Sequence, residues 1–134
     1  MQEISGIIYL ILAACLLPYA FAIIAKVVGG FKLKDNQNPR EFLAKTTGLA
    51  ARANAVQQNS FESLPLFIAS ILMAEYLVVP QFIIMKLGMI YIALRVIYGL
   101  CYLANLSTLR SIIWFLSLLC PITLFIIIIK MMTI

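Results

Sequence analysis

Four apolar runs, at about residues 4–28, 55–79, 82–104 and 111–132, take up most of this chain, and each is close to the roughly 20 residues that cross about 30 Å of hydrocarbon as a helix. In lipid every backbone N–H and C=O must find its partner inside the segment, so such runs fold as α-helices. With 64% hydrophobic and 11% charged residues, the 134-residue chain carries more apolar surface than a soluble domain of its size can bury. The expected architecture is an all-α integral membrane protein, residues 1–134 forming one four-helix domain. Only the first connection, residues 29 to 51, is of useful length, and no separate soluble domain is expected.

Several classes of chemistry drop out early. Met1-Gln2-Glu3 is acidic where a secretory signal would be basic, and the apolar run continues past Ala20-Phe21-Ala22, so the first run reads as a retained helix. Cys15, Cys101 and Cys120 lie in three different runs without metal-ligand spacing, which reads as packing and predicts no metal. The absence of histidine removes the usual imidazole base and metal ligand, leaving Arg, Tyr, Glu or a bound ligand to do any chemistry.

The net charge is +5, and six of the ten basic residues (Lys26, Lys32, Lys34, Arg40, Lys45 and Arg52) sit in or beside the first connection. By the positive-inside rule that loop is cytoplasmic and both termini are outside. The basic cluster is read as a topology signal rather than a nucleic-acid surface, and no nucleic-acid partner is expected.

The second run breaks its apolar character with a polar stripe. At about 100° per residue, Arg52, Asn59 and Glu62 fall within roughly 80° of one another. An ionised carboxylate in hydrocarbon costs several kcal/mol unless protein or water meets it, so Glu62 is expected to face a protein interior or a wet cavity. The third run repeats the pattern with Arg95, Tyr98, Tyr102 and Asn105 at offsets of 0, 3, 7 and 10. At a rise of about 1.5 Å per residue, Glu62 and Arg95 lie at similar depths, roughly 15 and 13 Å, and are expected to pair. The pair could be a ligand site or a register-fixing contact; the tyrosines and Asn59 could equally be interhelical packing, and Arg110 an interfacial anchor. From Arg40 to Val79 only Gly48 and Pro65 interrupt good helix formers, which predicts one long helix reaching out of the bilayer.

Asn38-Pro39-Arg40, Arg52-Ala53 followed by Asn59, Glu62 and Pro65, and then Arg95, Tyr98, Tyr102 and Arg110 together resemble the family of membrane-associated proteins in eicosanoid and glutathione metabolism. The resemblance spans nearly the whole chain and implies a homotrimer of four-helix subunits using glutathione as co-substrate at subunit interfaces. It assigns Arg52, Gln57, Asn59, Glu62, Arg95, Tyr98 and Tyr102 to glutathione binding and Arg110 to stabilising the thiolate. A guanidinium can do this because a thiol near pKa 8.5 is mostly protonated at neutral pH and reacts as its thiolate. Two departures stand out: Ala55 occupies a position where several members carry an arginine, and the spacing from Tyr102 to Arg110 is one residue longer than in a related synthase.

The expected function is that of a membrane-bound glutathione transferase or peroxidase acting on hydrophobic electrophiles or lipid hydroperoxides that arrive from the bilayer, in a bacterial inner membrane. The alternative from a different class is a lipid-binding protein without catalysis, since some relatives do only that. A small exporter coupled to protons through Glu62 is a third reading, disfavoured by the long basic loop.

Overall fold

The computed structural model describes residues 2–133, with side chains from Ser5 onward. Met1 and Ile134, the ends that the sequence assigns to the outside, lie outside the described residues, as do the side chains of Gln2, Glu3 and Ile4. Five α-helices follow one another: α1 (Gln2–Gly29), α2 (Pro39–Ala44), α3 (Gly48–Tyr76), α4 (Gln81–Leu103) and α5 (Ser107–Met132). A 3-10 turn over Leu33–Gln37 lies between α1 and α2.

Local chemistry explains the breaks. At the end of α1, Gly30 takes a φ of +75° that a residue without Cβ adopts at little cost, while the amides of Gly30 and Phe31 satisfy the carbonyls of Val27 and Lys26. Asn38 caps α2 by accepting from the Glu41 amide, and Pro39 fills the first helical position, where its missing N–H costs nothing.

The single long helix expected from Arg40 to Val79 is in fact two. Thr46 Oγ1 donates to the Leu43 carbonyl at 2.6 Å, Lys45 N–H turns back onto the last turn of α2, and Thr47 is extended. Gly48, at φ +59°, then redirects the chain into α3. Local side-chain bonding thus ends the helix where propensity alone would continue it. Beyond the break, α3 runs through Pro65 without interruption. Asn105, expected on the polar face of a helix, is instead the left-handed residue (φ 59°) of the α4–α5 turn, a conformation asparagine tolerates well.

The four long helices pack antiparallel, α1 chiefly on α3 and α4 chiefly on α5. Their main core occupies the half of the bundle away from the long loop, with Leu10, Phe67, Ile71, Tyr91, Leu124 and Ile128 at its centre. Toward the loop the core shrinks to two small clusters, Phe21 with Val56 and Tyr98, then Ala25 with Leu43 and Ala53. Small residues bring helices close here, as in other membrane bundles. A Cβ on Gly99 would run into the Phe21 ring, and one on Gly88 into Leu10.

Ser5–Gly29, Gln81–Leu103 and Ser107–Met132 are long and apolar enough to cross a membrane. With 29 residues, α3 is long enough at roughly 43 Å, but the polar stripe in its first half lowers its mean hydropathy.

Candidate functional site

The narrowing of the core at the loop end leaves room between helices, and most of the polar residues singled out above gather there. One cleft, of about 240 Å³, is lined by Asn59 of α3, Tyr98 and Tyr102 of α4, and Arg110, Ser111 and Trp114 of α5. Short turns decide this meeting. Because α4 ends at Leu103 and α5 begins at Ser107, Arg110 lies in the first turn of α5 and its guanidinium comes to 4.3 Å from the Tyr102 ring centre. The Tyr102 ring in turn meets the Tyr98 ring edge-on at 5.8 Å. The face of each ring carries negative charge, so the arginine is held without being neutralised. A half-buried cation beside two phenol-bearing side chains can stabilise an anion placed in the cleft.

Arg95 stands one layer behind. It is 2% exposed and does not meet Glu62, which corrects the pairing expected from depth alone. Its Nη2 donates to Asn59 Oδ1 at 2.8 Å and to Ser60 Oγ at 3.0 Å, and its guanidinium lies 4.3 Å from the centre of the Tyr98 ring. Depth set the two residues level, but the azimuth of Glu62 turns it outward. Among the described residues the one ion pair is Lys45, which caps the end of α2, with Glu41 of α2, and the lysine's hydrogen bond and charge hold the carboxyl below the usual carboxylate range.

An arginine has only donors, so the Asn59 atom it meets must be the carbonyl oxygen. That leaves the Asn59 amide nitrogen for a ligand. Among the described residues, Nε and Nη1 of Arg95 are buried without a hydrogen-bond partner.

The remaining candidates separate. Arg52 Nε donates to the Leu103 carbonyl at 3.2 Å, so it caps the C-terminal end of α4 and ties it to α3. Gln57 and Glu62 line a second cleft, of about 390 Å³, between α2 and α3. Glu62 is exposed there on the outside of the single bundle, and Gln57 Oε1 is buried with no donor among the described residues. The polar stripe of α3 therefore serves two clefts.

Four residues at or behind these clefts escaped the reading of the sequence. Ser111 and Trp114 follow Arg110 by one and four positions, and the second spacing alone would have put Trp114 on Arg110's face of a helix. Ser60 is an unremarkable neighbour of Asn59 until α4 brings Arg95 against it. Arg40 belongs to a motif noticed in the loop, but nothing in the sequence says that α2 folds back beside α3.

Compared with known proteins, the chain matches the model of the MAPEG family over residues 6–130. No curated protein and no solved structure matches it.

Proposed function

Since this chain belongs to the MAPEG family, whose members are multi-pass membrane proteins of eicosanoid and glutathione metabolism, we propose that it is a glutathione-dependent transferase or peroxidase acting on hydrophobic electrophiles or lipid hydroperoxides. The observation that carries this reading is the cleft in which Arg110, held over Tyr102, stands with Tyr98 and Asn59. In it the guanidinium stabilises the glutathione thiolate, and a tyrosine hydroxyl supplies a hydrogen bond to sulfur or to a leaving oxygen. With an electrophilic carbon the thiolate forms a C–S bond, and the displaced group leaves with the electron pair. With a hydroperoxide it takes the distal oxygen and releases the alcohol; a second glutathione then yields the disulfide and water.

Asn59, Gln57, Glu62, Tyr98 and Tyr102 bind the tripeptide. Arg52 and Arg95 act behind them, the first by tying α3 to α4 and the second by orienting Asn59. Exposure of the Glu62 carboxylate on the outer face of the bundle supports a further copy covering it, because lipid cannot. In keeping with the family resemblance, the assembly is proposed to be a trimer. All four long helices cross the bilayer, α3 included, as parts of one domain.

The test is purified protein in mild detergent. The form whose mass corresponds to three chains should turn over a model electrophile only when glutathione is added. A monodisperse monomer that still binds glutathione would rule out an interface site, and a trimer that never turns over would favour the second reading, lipid binding without chemistry. An observation behind that second reading is the apolar groove of Ile112, Phe115 and Leu116 beside Arg110, which suits an acyl chain.

The basic first loop belongs in the cytoplasm, with both termini outside. In sealed right-side-out vesicles, an Asn36→Cys variant should therefore resist a membrane-impermeant maleimide and react only after the membrane is opened. Immediate labelling from outside would invert the topology.

A further inference from the structure

The turn between α1 and α2 displays a leucine between two lysines at the edge of the membrane. Leu33 is 91% exposed, more than any other large hydrophobic side chain among the described residues, and Lys32 and Lys34 on either side of it are exposed as well. A lone exposed leucine is ordinary on a protein surface. What distinguishes this one is its level and its mounting. Lys26, in the last turn of α1, marks where the helix leaves the hydrocarbon. The Phe31 amide donates to the Lys26 carbonyl at 3.0 Å, so the chain turns back at that level. Leu33 is two residues further on, and its backbone lies within about 7 Å of Phe31. That is the level of the lipid headgroups.

The turn is a rigid mount. The Asp35 carboxylate accepts from the Lys32 amide at 2.8 Å, and the Asp35 amide donates to the Lys32 carbonyl at 2.9 Å. At its root, Phe31 lies beneath the Lys26 ammonium and its ring meets the Phe42 ring edge-on at 5.1 Å. At its far end the Asn38 amide donates to the Asp35 carbonyl, so the turn runs without slack into α2, whose Leu43 packs with Ala25 and Ala53. Charge then selects the partner. From Lys26 to Arg40 there are four basic residues and one acid, Asp35, whose carboxylate is turned onto the Lys32 amide. A second copy would bring the same basic loop and the same net charge of +5, which repels.

We infer that Lys32-Leu33-Lys34 is a docking surface for anionic phospholipids of the leaflet that surrounds this loop. Leu33 enters between the headgroups, and the two ammonium groups, carried on long flexible stems, reach lipid phosphates. The inference needs α1 to cross the membrane and is independent of glutathione. Because the turn leads directly into α2, which walls the second cleft, docking also steadies that wall.

The experiment places a Leu33→Trp variant in nanodiscs of phosphatidylcholine alone and of phosphatidylcholine mixed equally with phosphatidylglycerol. The one native tryptophan is Trp114, so the parent's spectrum is subtracted. In the mixed lipid the introduced tryptophan should emit further to the blue and be quenched by a nitroxide carried at headgroup level. Lys32→Ser and Lys34→Ser should each lower the ratio of docked to free turn by about fivefold, the contribution of one lysine near an anionic surface. High salt should act in the same direction, because it screens these charges.

Hydrogen exchange of the turn and of α2 in the parent, which lacks the added tryptophan, guards against that probe's own affinity for the interface. Exchange should be slower in the mixed lipid, and Leu33→Ser should remove most of the difference. Equal quenching and equal exchange in the two lipids would overturn the recognition of anionic headgroups. A blue-shifted emission that persists in detergent and resists the lipid nitroxide would overturn lipid docking and assign the cover to a second copy.

Discussion

Replacing Arg110 with alanine is expected to lower glutathione-dependent turnover at neutral pH by about 100-fold or more, the scale on which a single group that stabilises developing or resident negative charge contributes. Glutathione affinity should change far less. The guanidinium rests over the Tyr102 ring, with Asn59 and Tyr98, the residues proposed to hold the tripeptide, on the other sides of the cleft. An interaction aimed at sulfur shows itself in kcat more than in binding. The pH dependence has a definite sign. A nearby positive charge favours the thiolate and lowers the thiol's pKa, so its removal raises that pKa and empties the thiolate population at neutral pH. Activity lost at neutral pH should therefore partly return in alkaline buffer.

Arg110→Lys should fall between parent and alanine, keeping the charge but not the flat group that stacks on the ring. Thiolate absorbance of bound glutathione against pH, in parent and Arg110→Ala, measures this directly. Superimposable titrations would remove Arg110 from the role and transfer it to the Tyr98 or Tyr102 hydroxyl.

Arg95→Met is expected to separate stability from binding. Arg95 is 2% exposed and, among the described residues, its Nε and Nη1 are unpartnered and no carboxylate is in ion-pair contact with it. Burying a charge with so little compensation costs several kcal/mol. The Tyr98 ring face offsets about 2 kcal/mol or more of that. Methionine has similar reach and no charge, and apolar replacements of buried ions are often neutral or stabilising by about 1–4 kcal/mol. The ligand-free variant should thus melt at or above the parent's temperature.

Binding should move the other way. Without the donor from Nη2, the Asn59 amide loses the contact that fixes which of its two ends faces the cleft. Glutathione affinity is expected to fall about tenfold, the cost of about one oriented hydrogen bond. Arg95→Ala is the contrast, since it also leaves a cavity and should melt lower by an amount set by about 2–5 kcal/mol. Melting followed by intrinsic fluorescence, with and without glutathione, reads both effects. If Arg95→Met melts well below the parent, the guanidinium stabilises the bundle and its cost is met by something other than ligand. If it binds glutathione like the parent, the Asn59 orientation does not matter.

The sequence by itself determined that the chain is a bundle of membrane helices and where most of them stop. That follows because apolar runs in lipid have only the helix available to satisfy their backbone, and because Gly29-Gly30 and Asn38-Pro39 act through local backbone geometry. It also marked Asn59, Tyr98, Tyr102 and Arg110 of one cleft and Gln57 and Glu62 of the other, since a polar side chain among apolar ones is conspicuous.

What only the tertiary structure decided is who meets whom. Periodicity gave Glu62 and Arg95 the same depth, but depth is one coordinate of three. The rotation of α3 about its axis, set by Val56, Phe67 and Ile71 packing inward, turns Glu62 out to α2 and Asn59 toward Arg95. The break at Thr46 and Thr47 was equally hidden, because helix propensity sums over residues while a single threonine bond to Leu43 ends the helix and lets α2 fold back to bring Arg40 beside α3. Contacts between residues 36 positions apart, such as Asn59 with Arg95, arise from how whole helices pack, and no local pattern in the chain encodes that.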